Sequence, residues 1–128
     1  MIDARRSALR SLLKDPDAKV RQAAASALDI LEAVADFERL LTVLRQGERV
    51  ERLEAVHALR KLNSNRVYPA LLETLKSDDA ELRLLTVQVL GAKKHPKTVA
   101  ALIKVLDDPE PAVQAETAWA VGGFGDFG

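Results

Sequence analysis

Histidine and cysteine, the residue types that most often carry catalysis or bind transition metals, are scarce in this chain of 128 residues. It has two histidines, His57 and His95, and no cysteine. Neither histidine lies in an H-E-x-x-H pattern, which places two imidazoles and a general base around zinc. Without cysteine there is neither a thiolate zinc site nor a cysteine nucleophile. The sequence therefore predicts no catalytic residue, no metal and no cofactor, and a protein that is not an enzyme.

The glycines near the C-terminus are the remaining pattern that could serve a nucleotide cofactor. Gly122, Gly123 and Gly125 are closely spaced, but they follow no predicted strand, which a dinucleotide-binding turn requires. No Walker loop is present either. These glycines instead predict the end of a helix.

Basic residues cluster locally although the whole chain is neutral. Lysine plus arginine and aspartate plus glutamate number 19 each, so the chain has no net attraction for nucleic acid or an anionic membrane. A candidate basic edge consists of Arg60, Lys61, Arg66, Lys93, Lys94 and Lys97. Cations also complement the helix dipole at helix C-termini, so a structural role competes with phosphate or nucleic-acid binding by this edge.

No segment of the sequence predicts insertion into a membrane. The N-terminus, MIDARRSALR, has no apolar core of a signal peptide, and no apolar run approaches the length of a bilayer span. We therefore expect a cytoplasmic protein.

All of these side chains are carried by helices that repeat along the chain. Apolar residues recur every 31 residues in two rows: Leu28, Leu59, Leu90 and Val121, and Leu9, Leu40, Leu71 and Leu102. Each unit is predicted to be a helix A, a short turn and a helix B. Prolines and glycines such as Pro69, Pro96 and Gly91 lie where this spacing predicts breaks. The composition, with five aromatic residues and abundant alanine and leucine, is that of an all-α protein.

The unit boundaries follow from this spacing. We predict four units at about 3–36, 37–67, 68–98 and 99–128 in a single domain. The first helix B follows the capping turn at Asp15, and the second unit has a helix A from Phe37 and a helix B from about Arg49 to Leu62. Glu51 and Glu54 replace residues that are apolar in most other units, so the second helix B should be the most weakly packed.

The turn and helix B together carry a pattern, D-P-D-A-x-V-R-x-A-A-x-x-A-L, that resembles the short HEAT-like repeats of phycobilisome lyase subunits and many bacterial scaffolds. It is found in Asp15–Leu28, Ser77–Leu90 and Asp108–Val121. The resemblance implies an α-solenoid, a right-handed superhelix of helical hairpins, in which helix B lines the concave face. It also implies a non-enzymatic interaction module, with a phycobilin lyase-type subunit or chaperone as an alternative.

An arginine recurs on helix B as Arg21, Arg52 and Arg83, with Gln114 in the last unit. The resemblance implies that this arginine bonds acidic groups in the turn of its own or an adjacent repeat. The candidate acids are Asp15, Asp17, Glu48, Asp78 and Asp79. A planar guanidinium suits such a fixed carboxylate ladder, so we expect a structural role for this row.

The outer side of helix B contains apolar residues where solvent would favour lysine or glutamate. Helical geometry, at 100° per residue, places these positions away from the stack. The predicted partner-binding residues are Leu53, Val56, His57, Leu84, Val87, Gln88 and Trp119. We expect a protein or peptide partner there. Burial of these side chains by neighbouring B helices is the competing explanation. For Trp119 the competing explanation is a contact with Phe124 or Phe127. If these side chains are buried, the alternative function is that of a structural spacer.

The last unit lacks the polar outer face that a terminal repeat needs. Its stripe, formed by Val113, Thr117, Ala120 and Val121, is as apolar as the internal ones. The sequence then stops near Asp126 and Phe127, where the spacing calls for a further helix A. We therefore expect this chain to be part of something longer, or to have its C-terminal end covered by a partner; the oligomeric state is left open.

Overall fold

Helix-forming sequence dominates the computed structural model, which describes residues 2–125 and the side chains of residues 4–125. The described residues form seven α-helices and no strand: α1 Ile2–Leu12, α2 Ala18–Gln46, α3 Arg49–Arg60, α4 Val67–Thr74, α5 Ala80–Lys93, α6 Val99–Val105 and α7 Pro111–Gly122. A 3-10 turn over Pro96–Thr98 leads into α6. The all-α prediction is confirmed. The predicted junction at Asp126 and Phe127 lies outside the described residues.

Acidic residues in the turns begin the B helices, as the sequence predicts. The Asp79 carboxylate accepts a hydrogen bond from the Glu81 backbone N–H at 2.9 Å at the start of α5. At the start of α3, Glu48 and Glu51 form a capping box in which the Glu51 carboxylate accepts from the Glu48 N–H at 2.9 Å. Asp17 accepts from the Lys19 N–H in the same way. These bonds satisfy N–H groups that the helix itself leaves without partners.

The prediction of a separate helix A beginning at Phe37 is wrong. Helix α2 runs unbroken from Ala18 to Gln46, through the predicted boundary at residue 36. The segment Glu32–Asp36 reads EAVAD and contains neither proline nor glycine. Its alanines and glutamate favour a helix, so no local signal interrupts the backbone hydrogen bonds. The helix ends at Gly47, the first glycine that it meets.

The chain divides into two compact units between Leu40 and Leu41. The N-terminal unit contains α1 and most of α2, with Ala24, Ala35 and Phe37 as its buried residues. Within this unit, the Arg6 guanidinium lies 2.5 Å from the Glu32 carboxylate.

The C-terminal unit contains the end of α2 and all of α3 to α7, and its B helices pack side by side. Helix α5 packs against α3 on one side and α7 on the other, while the A helices α4 and α6 pack against α5 and α7. Leu59 and Leu90 of the B helices and Leu71 and Leu102 of the A helices are fully buried. These four members of the repeating rows therefore form the core between the two helical layers, whereas the other four are half-buried: Leu9, Leu28, Leu40 and Val121.

A small residue permits a close approach between α5 and α7. A Cβ atom built on Gly91 would lie 2.9 Å from the Ala120 Cβ and 3.4 Å from its Cα. Neither atom can rotate away. Gly91→Ala is therefore expected to destabilise the C-terminal unit by roughly 1–2 kcal/mol, because overpacking outweighs the gain in helix propensity. Gly122→Ala is the matched control, since nothing lies within 4 Å of the corresponding Cβ. Urea denaturation of both variants measures the difference, and a more stable Gly91→Ala protein would contradict it.

The two unusual glutamates of the second unit are both exposed on α3. Leu82 and Val113 stand in place of Glu51 in the following units, and both are buried. Helix α3 consequently buries three residues, Ala55, Val56 and Leu59, whereas α5 buries five. Glu51 instead serves the capping box. The weaker packing of this helix stays a prediction.

Candidate protein-interaction surface

One row on the B helices is exposed at every position. His57 on α3, Gln88 on α5 and Trp119 on α7 lie 31 residues apart in sequence, and each is exposed. We call these three residues the helix-B face. Trp119 has 80% of its surface accessible, which is unusual because tryptophan is highly buried on average in folded proteins. All three were predicted as partner-binding residues.

Two predicted partner-binding residues belong to the core instead. Val56 and Val87 are fully buried, so neither can contact a partner, and this part of the prediction is wrong. They lie on α3 and α5, two B helices that pack against each other. Ala118, the equivalent residue of α7, is exposed. Leu53 and Leu84, the last two predicted residues, are half-buried beside the helix-B face.

A groove of about 600 Å³ lies between α5 and α7, next to Trp119. Its walls include Gln88 and the small residues Gly91, Ala118 and Gly122, and charged side chains are contributed by Lys94 and Glu116. Because the walls are formed largely of glycine and alanine, the groove has space for side chains that this chain does not itself supply. Trp119 remains exposed rather than buried against Phe124, and Phe127 lies outside the described residues.

The recurring arginine position ties each B helix to the turn that precedes it. Arg21 Nη1 donates to the Asp15 carbonyl at 2.7 Å, Arg52 Nε to the Gly47 carbonyl at 2.9 Å, and Arg83 Nη1 to the Ser77 carbonyl at 2.9 Å. Gln114, which replaces arginine in the last unit, donates to the Asp108 carbonyl. The recurring acceptors at all four positions are thus backbone carbonyls, and none of the five predicted carboxylates accepts a hydrogen bond from this row.

Only Arg83 also binds a carboxylate, and that carboxylate is Asp108 of the next turn. Arg83 Nε lies 2.8 Å from Asp108 Oδ2, and Nη2 lies 3.1 Å from Oδ1. Both side chains are almost fully buried. The hydrogen bond from Arg83 lowers the pKa of Asp108, and the same bond raises the pKa of Arg83. Sequence reasoning missed Asp108, although it stands 31 residues after Ser77 in the turn.

Part of the candidate basic edge makes contacts within the fold. Lys93 is half-buried and donates its ammonium to the Leu62 carbonyl at 2.8 Å, and its burial lowers its pKa. Arg60 and Lys93 line one groove of about 430 Å³ together with Asn63, Ser64 and Tyr68. The structure leaves the other members exposed outside that groove: Lys61, Arg66, Lys94 and Lys97.

The two histidines lie in different surroundings. His57 is exposed on α3. The His95 ring contacts the Tyr68 ring at a tilt of 47°, with ring centroids 4.3 Å apart, and its Nδ1 accepts from the Lys97 N–H. Within residues 4–125, no group of three or more histidine or acidic side chains is arranged to hold a metal ion. No helix in the described part of the chain has both the length and the apolar character needed to cross a bilayer.

Comparison with known proteins agrees with this architecture. A family model described as HEAT repeats matches residues 68–126, and a second, described as HEAT repeat, matches residues 6–34. No curated protein matches the chain. The first segment covers α4–α7 from Tyr68 onwards, the second covers the later part of α1 and the first part of α2, and the HEAT repeat forms a helical solenoid. The chain is a HEAT-like repeat protein.

Proposed function

We propose that this chain is a protein-interaction scaffold that binds a segment of a partner protein along the helix-B face. HEAT repeats are commonly interaction scaffolds and are typically non-enzymatic. The observation that carries the proposal is the 80% exposure of Trp119 beside the groove between α5 and α7.

An exposed indole has a large amount to gain from a partner. Fully burying a large apolar side chain contributes roughly 1.5–3 kcal/mol, and tryptophan is among the residues most enriched at binding hot spots. The groove next to Trp119 supplies the other requirement, a concave surface into which a partner side chain can insert while the indole packs against it.

The rest of the helix-B face adds polar and apolar contacts along the same direction. Gln88 and His57 can each donate or accept hydrogen bonds, and both are exposed. Leu53 and Leu84, half-buried beside them, offer smaller apolar areas. A partner segment that follows the B helices would therefore meet an apolar anchor at α7 and a more polar surface at α5 and α3.

Trp119→Ala is expected to weaken binding of the partner at least about tenfold, because truncation of a hot-spot tryptophan removes about 2 kcal/mol or more. The partner is isolated by affinity capture on the wild-type chain, purified, and titrated against both proteins. Trp119 is the only tryptophan in the sequence, so its fluorescence reports directly on whether the indole becomes buried.

Ile103→Ala is the matched control for this experiment. Ile103 is also a large exposed apolar residue, 49% accessible, but it lies on the A helix α6. The Ile103→Ala variant should bind the partner with the affinity of the wild type. Equal losses for the two variants, or an unchanged affinity for Trp119→Ala, would show that the helix-B face is not the binding surface.

A further inference from the structure

Two turns of the C-terminal unit make equivalent side-chain hydrogen bonds, but the accepting side chain is a serine in one and an aspartate in the other. Ser77 and Asp108 stand 31 residues apart, and each side chain accepts from the backbone N–H two residues later. Ser77 Oγ lies 3.1 Å from the Asp79 nitrogen, and Asp108 Oδ1 lies 2.9 Å from the Glu110 nitrogen. A serine therefore occupies, at the first turn, the place of the carboxylate that binds Arg83 at the second.

The arginine next to this serine has hydrogen-bonding capacity to spare. Arg52 is equivalent to Arg83, and its Nε donates to the Gly47 carbonyl at 2.9 Å. Among the described residues nothing accepts from its two terminal nitrogens, Nη1 and Nη2. A guanidinium presents these nitrogens as a planar fork that matches the two oxygens of a carboxylate.

Arg52 lines an open pocket of about 500 Å³ at the same edge of the unit. Arg45 and Lys76 add positive charge there, and Glu73, Asp78 and Asp79 add negative charge. The Asp79 carboxylate is already occupied, because it lies 2.7 Å from Arg49 Nε and also caps α5. The remaining wall includes the leucines Leu44 and Leu82.

We propose that this pocket binds the carboxylate of an aspartate or glutamate side chain from a partner peptide, held by Arg52 as Asp108 is held by Arg83. A singly charged carboxylate fits better than a phosphate, whose higher charge would be repelled by Glu73 and Asp78. The many charged walls also suit a peptide better than an aliphatic acid. This site is separate from the helix-B face, so either proposal can fail without the other.

The test measures the arginine side chains directly by NMR. In protein labelled with ¹⁵N-arginine, N-acetyl-aspartate N-methylamide is titrated while the Nε–Hε signals are followed. The Arg52 signal should move in a saturable manner, and the Arg83 signal should stay fixed because Asp108 already occupies its fork. N-acetyl-asparagine N-methylamide, which has the same shape without the charge, should move neither. Absence of a saturable Arg52 shift, an equal response to the asparagine compound, or a response to inorganic phosphate but not to the aspartate compound, would each overturn the proposal.

Two variants test whether the ligand binds at Arg52 or elsewhere in the pocket. Ser77→Asp supplies the missing carboxylate from within the chain, so it should abolish the response and raise the melting temperature. Arg52→Gln reproduces the residue found naturally at Gln114 and should also abolish the response, read on the backbone amides of Ser77 and Asp78. A saturable response that survives in either folded variant would overturn the proposal.

Discussion

Replacing Val87 with aspartate is expected to destabilise the C-terminal unit by about 3–5 kcal/mol, whereas the same change at the next residue, Gln88→Asp, should shift stability by less than about 0.5 kcal/mol. Val87 is fully buried in α5, which packs against both α3 and α7, so a carboxylate placed there would lose its hydration. Gln88 is exposed. A domain has a free energy of unfolding of only about 5–15 kcal/mol, so the Val87→Asp variant should lose a large part of its stability.

Thermal and urea denaturation followed by circular dichroism measure both variants. Val56→Asp and His57→Asp repeat the comparison on the neighbouring B helix α3, since Val56 is fully buried and His57 is exposed. Similar stabilities for the two members of a pair would show that the valine row lies at the surface after all. That result would return Val56 and Val87 to the interaction surface.

The valine row shows where sequence reasoning reaches its limit. The 31-residue spacing correctly placed Leu59, Leu90 and Leu102 in the core, because those positions combine helical periodicity with repetition. Periodicity of a single helix identifies the side that faces the other layer, but it carries no information on the neighbours that cover its flanks. Whether Val87 is exposed depends on how closely α3 and α7 approach α5, and Gly91 sets part of that distance.

Helix α2 shows the opposite error, because the repeat spacing predicted a helix boundary that the local sequence does not support. The spacing called for a break near residue 36, but no proline or glycine occurs between Ala18 and Gln46. Backbone hydrogen bonding continues wherever no residue interrupts it, so local propensity decided the outcome. The breaks predicted beside Pro69, Pro96 and Gly122, which do contain such residues, agree with the helix bounds, whereas the end predicted at Gly91 is wrong because α5 continues to Lys93.

For the arginine row, the sequence predicted the residues but not their acceptors. A recurring arginine beside acidic turns suggested carboxylate partners, yet the acceptors that recur are backbone carbonyls. Carbonyls are present in every turn whatever its side chains, so they leave no trace in the sequence. The single carboxylate partner, Asp108, could have been found by aligning it with Ser77 at the repeat spacing and noting that only one of them is charged.

Removing Asp108 is the second large effect that we expect. Asp108→Ala should destabilise the chain by about 2–4 kcal/mol, because it leaves the buried Arg83 guanidinium without its counter-charge and removes the acceptor of the Glu110 N–H. Replacing both partners with leucine should cost less than the sum of the single replacements. A double-mutant cycle on Arg83→Leu and Asp108→Leu measures this coupling, and additive losses would contradict a direct interaction.

The same ion pair should make stability depend on pH in one direction. Arg83 holds the pKa of Asp108 below its ordinary value of about 3.9, so folding favours the ionised carboxylate. Its contribution is complete above that ordinary value and is lost as pH falls through the lower pKa of the folded state. Arg83 stays charged throughout this range. The difference in unfolding free energy between wild type and Asp108→Asn should therefore be constant from about pH 5 to 7 and shrink progressively below about pH 4. A difference that stays constant down to pH 2, or grows as the solution is acidified, would mean that the Asp108 charge does not stabilise the fold.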